Sequence, residues 1–107
     1  MSDFIDWREH TGIATEKFFK TTLWRGEHLL VGLNCLEPNQ IQNLHTHDDA
    51  DKIYFVLEGR GQFTIGDKVA EASTGMLVLA RAGVPHGLTN TGSERLSLLV
   101  AMSPASK

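Results

Sequence analysis

The chain has 107 residues, of which 41% are hydrophobic and 21% are charged, as in one globular domain with a modest core. A formal net charge of −3 gives no sign of the basic face that nucleic-acid binding usually needs, and no apolar run approaches the ~20 residues that cross a bilayer. The acidic start MSDFIDWREH does not resemble a signal peptide, and the single Cys35 cannot form an internal disulfide, so a cytoplasmic location is expected.

The predicted elements are short strands separated by turns, with one short helical turn near the N-terminus. The helical turn is placed at residues 6–9. Strands are predicted, in chain order, over residues 18–23, 29–36, 52–57, 62–65, 68–70, 76–79, 84–89 and 95–102. Gly66-Asp67 has the composition of a two-residue hairpin turn. Eight short strands without intervening helices predict an all-β sandwich or barrel.

The predicted domain organisation is one barrel with short flanking segments. Residues 1–24 are expected to form an arm or strand that contributes to the barrel or to a dimer. Residues 25–102 are expected to form the barrel itself, and residues 103–107 a loose tail.

Three histidines lie at the junctions between predicted strands and turns. His45 and His47 are separated by one residue, so in an extended chain their side chains point to the same face. His86 follows much later, in the stretch GVPHGLTN. If the sheet rolls up so that these strands face each other, three imidazoles converge. Such a set suits a divalent first-row transition metal (Fe, Mn, Ni, Zn or Cu) and leaves coordination positions for water or substrate.

The first histidine pair lies in a stretch that resembles the first sequence motif of the cupin family. That motif is a glycine, five residues, His-x-His, three or four residues, a Glu, six residues and a glycine. Here Asn39 takes the place of the first glycine, and an Asn can also adopt a positive φ. His45-Thr46-His47 and Gly59 follow at the spacing of the motif.

A later stretch resembles the second cupin motif, which is a glycine, five residues, Pro-x-Gly, two residues, His, three residues and Asn. The matching residues are Gly75, Gly83, His86 and Asn90, and Arg81 stands at the proline position. The two motifs together span residues 39–90. The resemblance implies an all-β double-stranded β-helix, the jelly-roll barrel of the cupins.

The sequence departs from the resembled family at the motif glutamate, where Lys52 stands. The resemblance implies a metal held by three His and that carboxylate, and a protonated lysine cannot be a ligand. Three arrangements are open. A bulge could turn Asp51 inward as a ligand. Lys52 could lie over a three-histidine site, neutralised by a nearby aspartate among residues 48–51. The metal could also depress the pKa of Lys52 and leave a neutral amine as a base or substrate contact.

The resemblance implies a metal-dependent oxygenase, isomerase or lyase that acts on a small polar or anionic molecule. The metal ligands would be His45, His47 and His86, with Asp51 as the candidate fourth. Lys52 and Tyr54 are the candidate catalytic residues, with a core position as the alternative for Tyr54. The alternative function is a small-ligand-binding or metal-free structural barrel. The expected partners are a small molecule and a second copy of the chain in a homodimer, with no nucleic acid and no membrane.

Overall fold

The structure is a computed structural model that describes residues 2–105. A short 3₁₀ helix, Trp7–Glu9, begins at Asp6, whose carboxylate accepts a hydrogen bond from the backbone N–H of Arg8. Nine strands follow in the described range: β1 (Phe19–Arg25), β2 (Leu30–Leu36), β3 (Ile41–His45), β4 (Asp51–Glu58), β5 (Arg60–Ile65), β6 (Lys68–Ser73), β7 (Leu77–Ala80), β8 (His86–Thr89) and β9 (Leu96–Ser103).

The strands form two antiparallel sheets that pack against each other. The five-stranded sheet has the order β1-β2-β9-β4-β7, and the four-stranded sheet has the order β3-β8-β5-β6. Neighbours in each sheet are often distant in the chain: in β4, Lys52 lies opposite Met102 of β9 and Ala80 of β7. This double-stranded β-helix confirms the predicted all-β barrel.

The core lies between the sheets and follows the two-residue alternation of the strands. In β4, Tyr54 and Val56 are fully buried, and Phe63 of β5 packs against them from the other sheet. Burying each such side chain stabilises the fold by about 1.5–3 kcal/mol. Lys52 lies on the same inner face of β4 as Tyr54 and Val56, so its side chain borders this core.

One strand, β3, was not predicted because its sequence lacks a regular alternation of apolar and polar residues. Only its second and fifth residues, Gln42 and His45, are partly buried, while Ile41 and Leu44 face solvent. Its pairing with β8 is also interrupted between these two residues. The formation of β3 therefore depends on its pairing with β8 rather than on a pattern of residues within β3 itself.

Two turn positions of the motifs have a positive φ. Asn39 has a φ of 72°, which confirms that it takes the glycine's place in the left-handed region. Gly59 has a φ of 83°, and a Cβ there would lie 2.4 Å from the carbonyl oxygen of Arg95. No side chain fits at Gly59, so this glycine is required by the fold.

The motif asparagine ties two loops together. The Asn90 side chain is fully buried, and its amide donates to the carbonyl oxygens of Leu36 at 2.8 Å and Glu94 at 2.9 Å. Its own oxygen accepts from the backbone N–H of Gly92 at 2.9 Å. All three contacts are structural, so Asn90 acts on the fold rather than on a ligand.

The N-terminal segment lies against the outer face of the five-stranded sheet, and β1 is an edge strand of that sheet. A groove of about 400 Å³ separates the segment from the sheet, with Trp7, Trp24 and Val31 among its lining residues. Of the predicted tail, Ser103 belongs to β9, and residues 106 and 107 lie outside the described range. Within residues 2–105, no helix is long and apolar enough to cross a membrane.

Candidate metal centre

Strand pairing brings the three motif histidines together. His45, the last residue of β3, lies directly opposite His86, the first residue of β8, and their ring centroids are 4.2 Å apart. His47 lies in the loop after β3, where its carbonyl oxygen accepts from the backbone N–H of Gly83 at 2.8 Å. One ligand atom from each of the three histidines lies within 4.8 Å of the others. The predicted convergence is therefore present in the described chain.

Backbone carbonyls fix the orientation and tautomer of two of the rings. His45 Nδ1 lies 2.8 Å from the carbonyl oxygen of Asn43, and His86 Nδ1 lies 3.0 Å from that of Val84. A carbonyl oxygen only accepts, so each Nδ1 carries a hydrogen, and in the neutral form of each ring Nε2 has a free lone pair. A metal-ligating histidine characteristically donates its other ring N–H in this way.

His86 supplies the test of whether the residues fit a metal. Its Nε2 is buried and has no hydrogen-bond partner in residues 2–105. Leaving such an acceptor unpaired costs about 1–3 kcal/mol. A metal ion held by the three histidines would give this nitrogen the partner that it lacks.

Burial keeps two of these histidines neutral, which is the form that binds a metal. It is the main cause that lowers the pKa of His47, with smaller contributions from the positive charges of Lys52, His45 and Lys20. Burial also lowers the pKa of His86, partly offset by its bond to Val84. At neutral pH both imidazoles therefore hold a free lone pair.

Lys52 lies buried beside this cluster, where the described residues offer it no counter-charge. Its side chain points inward and is 7% exposed, and its Nζ lies 4.7 Å from the centroid of the Tyr54 ring, a cation–π contact. No carboxylate in the described residues lies within 4.0 Å of it, so the arrangement in which an aspartate neutralises Lys52 is not found. Burial, and then the nearby Lys20, lowers the pKa of Lys52 from 10.5 to about 8.

Asp51 stands apart from the three imidazoles. It is exposed, and its Oδ1 accepts from the backbone N–H of Ala82 at 2.9 Å. A bulge would be needed to turn it inward, but the β4–β9 pairing is regular from Asp51 to Val56. Strand alternation therefore turns Lys52 inward and leaves Asp51 outside the histidine cluster of the described chain.

Tyr54 supports the site from the core. It is fully buried, and its hydroxyl donates to Gln42 Oε1 at 2.7 Å. Burial raises the pKa of Tyr54 well above its usual value, so the hydroxyl stays protonated and keeps donating. Gln42 faces the cavity beside the histidines, and sequence reasoning missed it because β3 itself was not recognised.

His45 and His47 open onto a cavity of about 510 Å³ along the inner face of the five-stranded sheet. Lys20, Arg25 and Lys52 line it together with His45 and His47, and no aspartate or glutamate of the described chain does. The whole chain, in contrast, has 13 acidic and 10 basic residues. Arg81 is exposed and lies outside this lining. The cavity is therefore a positively charged recess in an acidic protein.

The buried lysine leads to a prediction for stability. At pH 7, Lys52→Met should raise the free energy of unfolding by about 1–3 kcal/mol, because the variant no longer buries an uncompensated charge. In the wild type, the unfolded chain binds more protons than the folded one between pH 8 and 10.5, so stability rises with pH across that window. The whole shift corresponds to on the order of 3 kcal/mol.

Urea denaturation at pH 7, 9 and 10.5 measures this effect as the difference between the two proteins. The extra free energy of unfolding of Lys52→Met over the wild type should decrease from pH 7 to pH 9 and vanish at pH 10.5. Lys68→Met, at an exposed position of β6, is the matched control and should show no such trend. A Lys52→Met variant no more stable than the wild type at pH 7 would contradict the buried, unpaired charge.

Comparison with known proteins agrees with this geometry. The family described as Cupin domain matches residues 32–102. An uncharacterised protein of Streptomyces coelicolor is 34% identical over 80 residues, 75% of this chain and 74% of that protein. An oxalate-binding protein of Thermotoga maritima is 30% identical over 67 residues, 63% of this chain and 55% of that protein. The crystal structure of TT1209 from Thermus thermophilus superposes with a TM-score of 0.92 at 33% identity, over 96% of this chain and 98% of that one.

Proposed function

The chain belongs to the cupin domain family, and on that premise we propose that it is a small metal-dependent enzyme for an anionic substrate. The observation that carries the proposal is the buried His86 Nε2, which lacks a partner in the described chain and lies beside ligand atoms of His45 and His47. A divalent first-row metal is the partner that suits three imidazoles.

The bound metal would act as a Lewis acid and activate water or dioxygen, which suits oxygenase, isomerase or lyase chemistry. The chain's own residues hold and orient the reactants. The Asn43 and Val84 carbonyls fix the rings of His45 and His86. Lys52 Nζ offers a positive charge to an anionic group of the substrate, and Tyr54 positions Gln42 at the cavity wall.

Charge supports an anionic substrate. A buried ammonium without a carboxylate partner is costly, and an anionic ligand would offset that cost. Lys20 lines the same cavity as Lys52 and contributes a second positive charge. No acidic side chain of the described chain lines this cavity. The similarity to an oxalate-binding protein makes small dicarboxylates the first substrates to test.

A second candidate function is binding without catalysis, and the cation at position 52 favours it. A positive charge where the family has a glutamate weakens a metal site and strengthens an anion site. In this alternative, the barrel holds a small carboxylate and the histidines act as hydrogen-bonding groups. Turnover separates the two functions.

The experiment uses protein purified without a polyhistidine tag and loaded separately with Fe(II), Mn(II), Ni(II), Zn(II) or Cu(II). Oxalate, malonate and small 2-oxo acids are supplied in air and under anaerobic conditions, and substrate loss is followed by chromatography. We expect turnover with at least one metal, lost in His47→Ala and kept in His28→Ala, which changes an exposed histidine outside the cluster. Metal-loaded protein that binds these acids without converting any would favour the binding function.

We also propose that the protein is a homodimer. The outer face of β7 supports this, because Leu77 is 54% exposed and Leu79 is 40% exposed beside the apolar residues of β4. Contiguous apolar surface of this kind is typical of a protein–protein contact. Elution as a monomer from a calibrated sizing column would contradict the dimer.

A further inference from the structure

Gly32 occupies the middle of β2 on the wall of the cavity. It lies opposite Thr22 of β1 and Val100 of β9, and all three residues line the cavity. The adjacent residue Leu33 is fully buried on the opposite face of the sheet. The cavity therefore has a floor without a side chain at the point where β1, β2 and β9 run side by side.

Neither backbone conformation nor packing requires a glycine at this position. Gly32 is not among the residues with a positive φ. A Cβ at Gly32 would meet only the carbonyl oxygen of Thr21 at 3.4 Å and the Cβ of Val100 at 3.9 Å, which are ordinary contacts. At Gly87, in contrast, a Cβ would lie 2.9 Å from the Gln42 carbonyl oxygen.

A glycine inside a strand weakens that strand, because it loses more backbone freedom on folding and has no side chain to pack. A strand glycine with room for a side chain therefore needs another explanation. Glycine in a strand often marks a bulge or a place where a ligand approaches the backbone closely. The register of β1 shifts just after Thr22, opposite Gly32, but this irregularity does not require a glycine in β2, since a Cβ would fit there. The space above Gly32 lies on the cavity wall and is available to a bound molecule.

The charges around this floor define the molecule. Lys20 projects from β1 at the position opposite Asn34, two residues along from Gly32, and lines the same cavity. Lys52 approaches from β4 on the other side of β9. With no acidic residue of the described chain in the lining, a neutral or cationic guest would leave both ammonium groups unneutralised.

We propose that Gly32 is the floor of a subsite for a small molecule with two carboxylates, whose charged ends are contacted by Lys20 and Lys52. The body of the ligand occupies the volume that a larger side chain at Gly32 would fill. This inference rests on the proposed function in one respect, which is that both place a ligand in the same cavity. Binding at this subsite requires neither a metal nor turnover.

Isothermal titration calorimetry with oxalate, malonate and succinate tests the subsite, using the protein as purified and after chelator treatment. At least one dicarboxylate should bind, and its uncharged diamide should bind at least tenfold more weakly. Gly32→Val should weaken that binding at least tenfold and Gly32→Ala less, while Lys20→Met should weaken it about threefold or more. Ala70→Val, which introduces the same valine side chain at an exposed position of β6, is the matched control.

Thermal melting and zinc titration of each variant separate loss of the subsite from loss of the fold or metal site. Gly32→Ala should melt no lower than the wild type, and its zinc affinity should stay within about twofold. Equal dicarboxylate affinity in wild type and Gly32→Val would overturn the inference. Equal affinity for diacid and diamide would also overturn it, as would failure of all three diacids to bind. Absence of turnover with binding intact would count against the enzyme alone.

Discussion

Lys52→Glu should raise the affinity of the protein for a divalent first-row metal by at least 100-fold. The side chain at this position points inward beside the imidazoles, and its charge already contributes to the lowered pKa of His47 and His86. At about 5 Å and an effective dielectric of 20, a lysine repels a divalent ion by roughly 6–7 kcal/mol, and a glutamate attracts it by a similar amount. Solvent and counter-ions reduce this difference in electrostatic energy between lysine and glutamate. A 100-fold change in affinity requires only about 2.7 kcal/mol of it.

Competition with a calibrated zinc chelator at pH 7 measures the change. Lys52→Met is the matched control, because it removes the positive charge without adding a ligand, and its affinity should lie between those of wild type and Lys52→Glu. Glutamate and methionine variants of equal zinc affinity would show that position 52 does not reach the metal. Asp51→Asn should leave zinc affinity within about twofold, because its carboxylate is held by the Ala82 N–H outside the cluster.

The fold and the histidine cluster were predictable because two stretches of the sequence resemble the two cupin motifs. The barrel implied by that resemblance brings the two motifs together, and β3 and β8 pair at His45 and His86. The turn conformation of Asn39 followed from its place in the motif. The histidines and Asn39 stand at fixed positions of the two motifs, so the sequence alone is enough to predict their place in the fold.

The electrostatics of the site were not predictable, because they depend on which side chains the barrel leaves out of the cavity. The sequence places three aspartates within four residues of Lys52, which made an ion pair the natural expectation. In the described chain none of these carboxylates lies within 4.0 Å of Lys52, and Asp51 instead accepts from the backbone N–H of Ala82. The contact between Tyr54 and Gln42 likewise joins two strands of different sheets, one of which has no clear sequence pattern.

His86→Leu should abolish the stabilisation that zinc gives to the wild type. Zinc at 100 times its dissociation constant stabilises a folded protein by about 2.7 kcal/mol, if it does not bind the unfolded chain. Loss of one of three ligands should weaken binding at least 100-fold and reduce that gain to a few tenths of a kcal/mol. Without metal, the variant should unfold within about 1 kcal/mol of the wild type, because leucine removes the unpaired buried Nε2 along with the Val84 bond.

Chemical denaturation with zinc and with chelator measures both quantities on the same protein. The comparison isolates the metal because a variant that merely damages the fold lowers stability in both conditions, whereas a lost ligand lowers it only when zinc is present. His28→Leu, at an exposed position, is the matched control and should keep the full zinc effect. A zinc-induced gain in His86→Leu equal to that of the wild type would show that the buried imidazole does not bind the ion. The unpaired Nε2 would then need a different partner, and the metal-dependent function would lose the observation on which it rests.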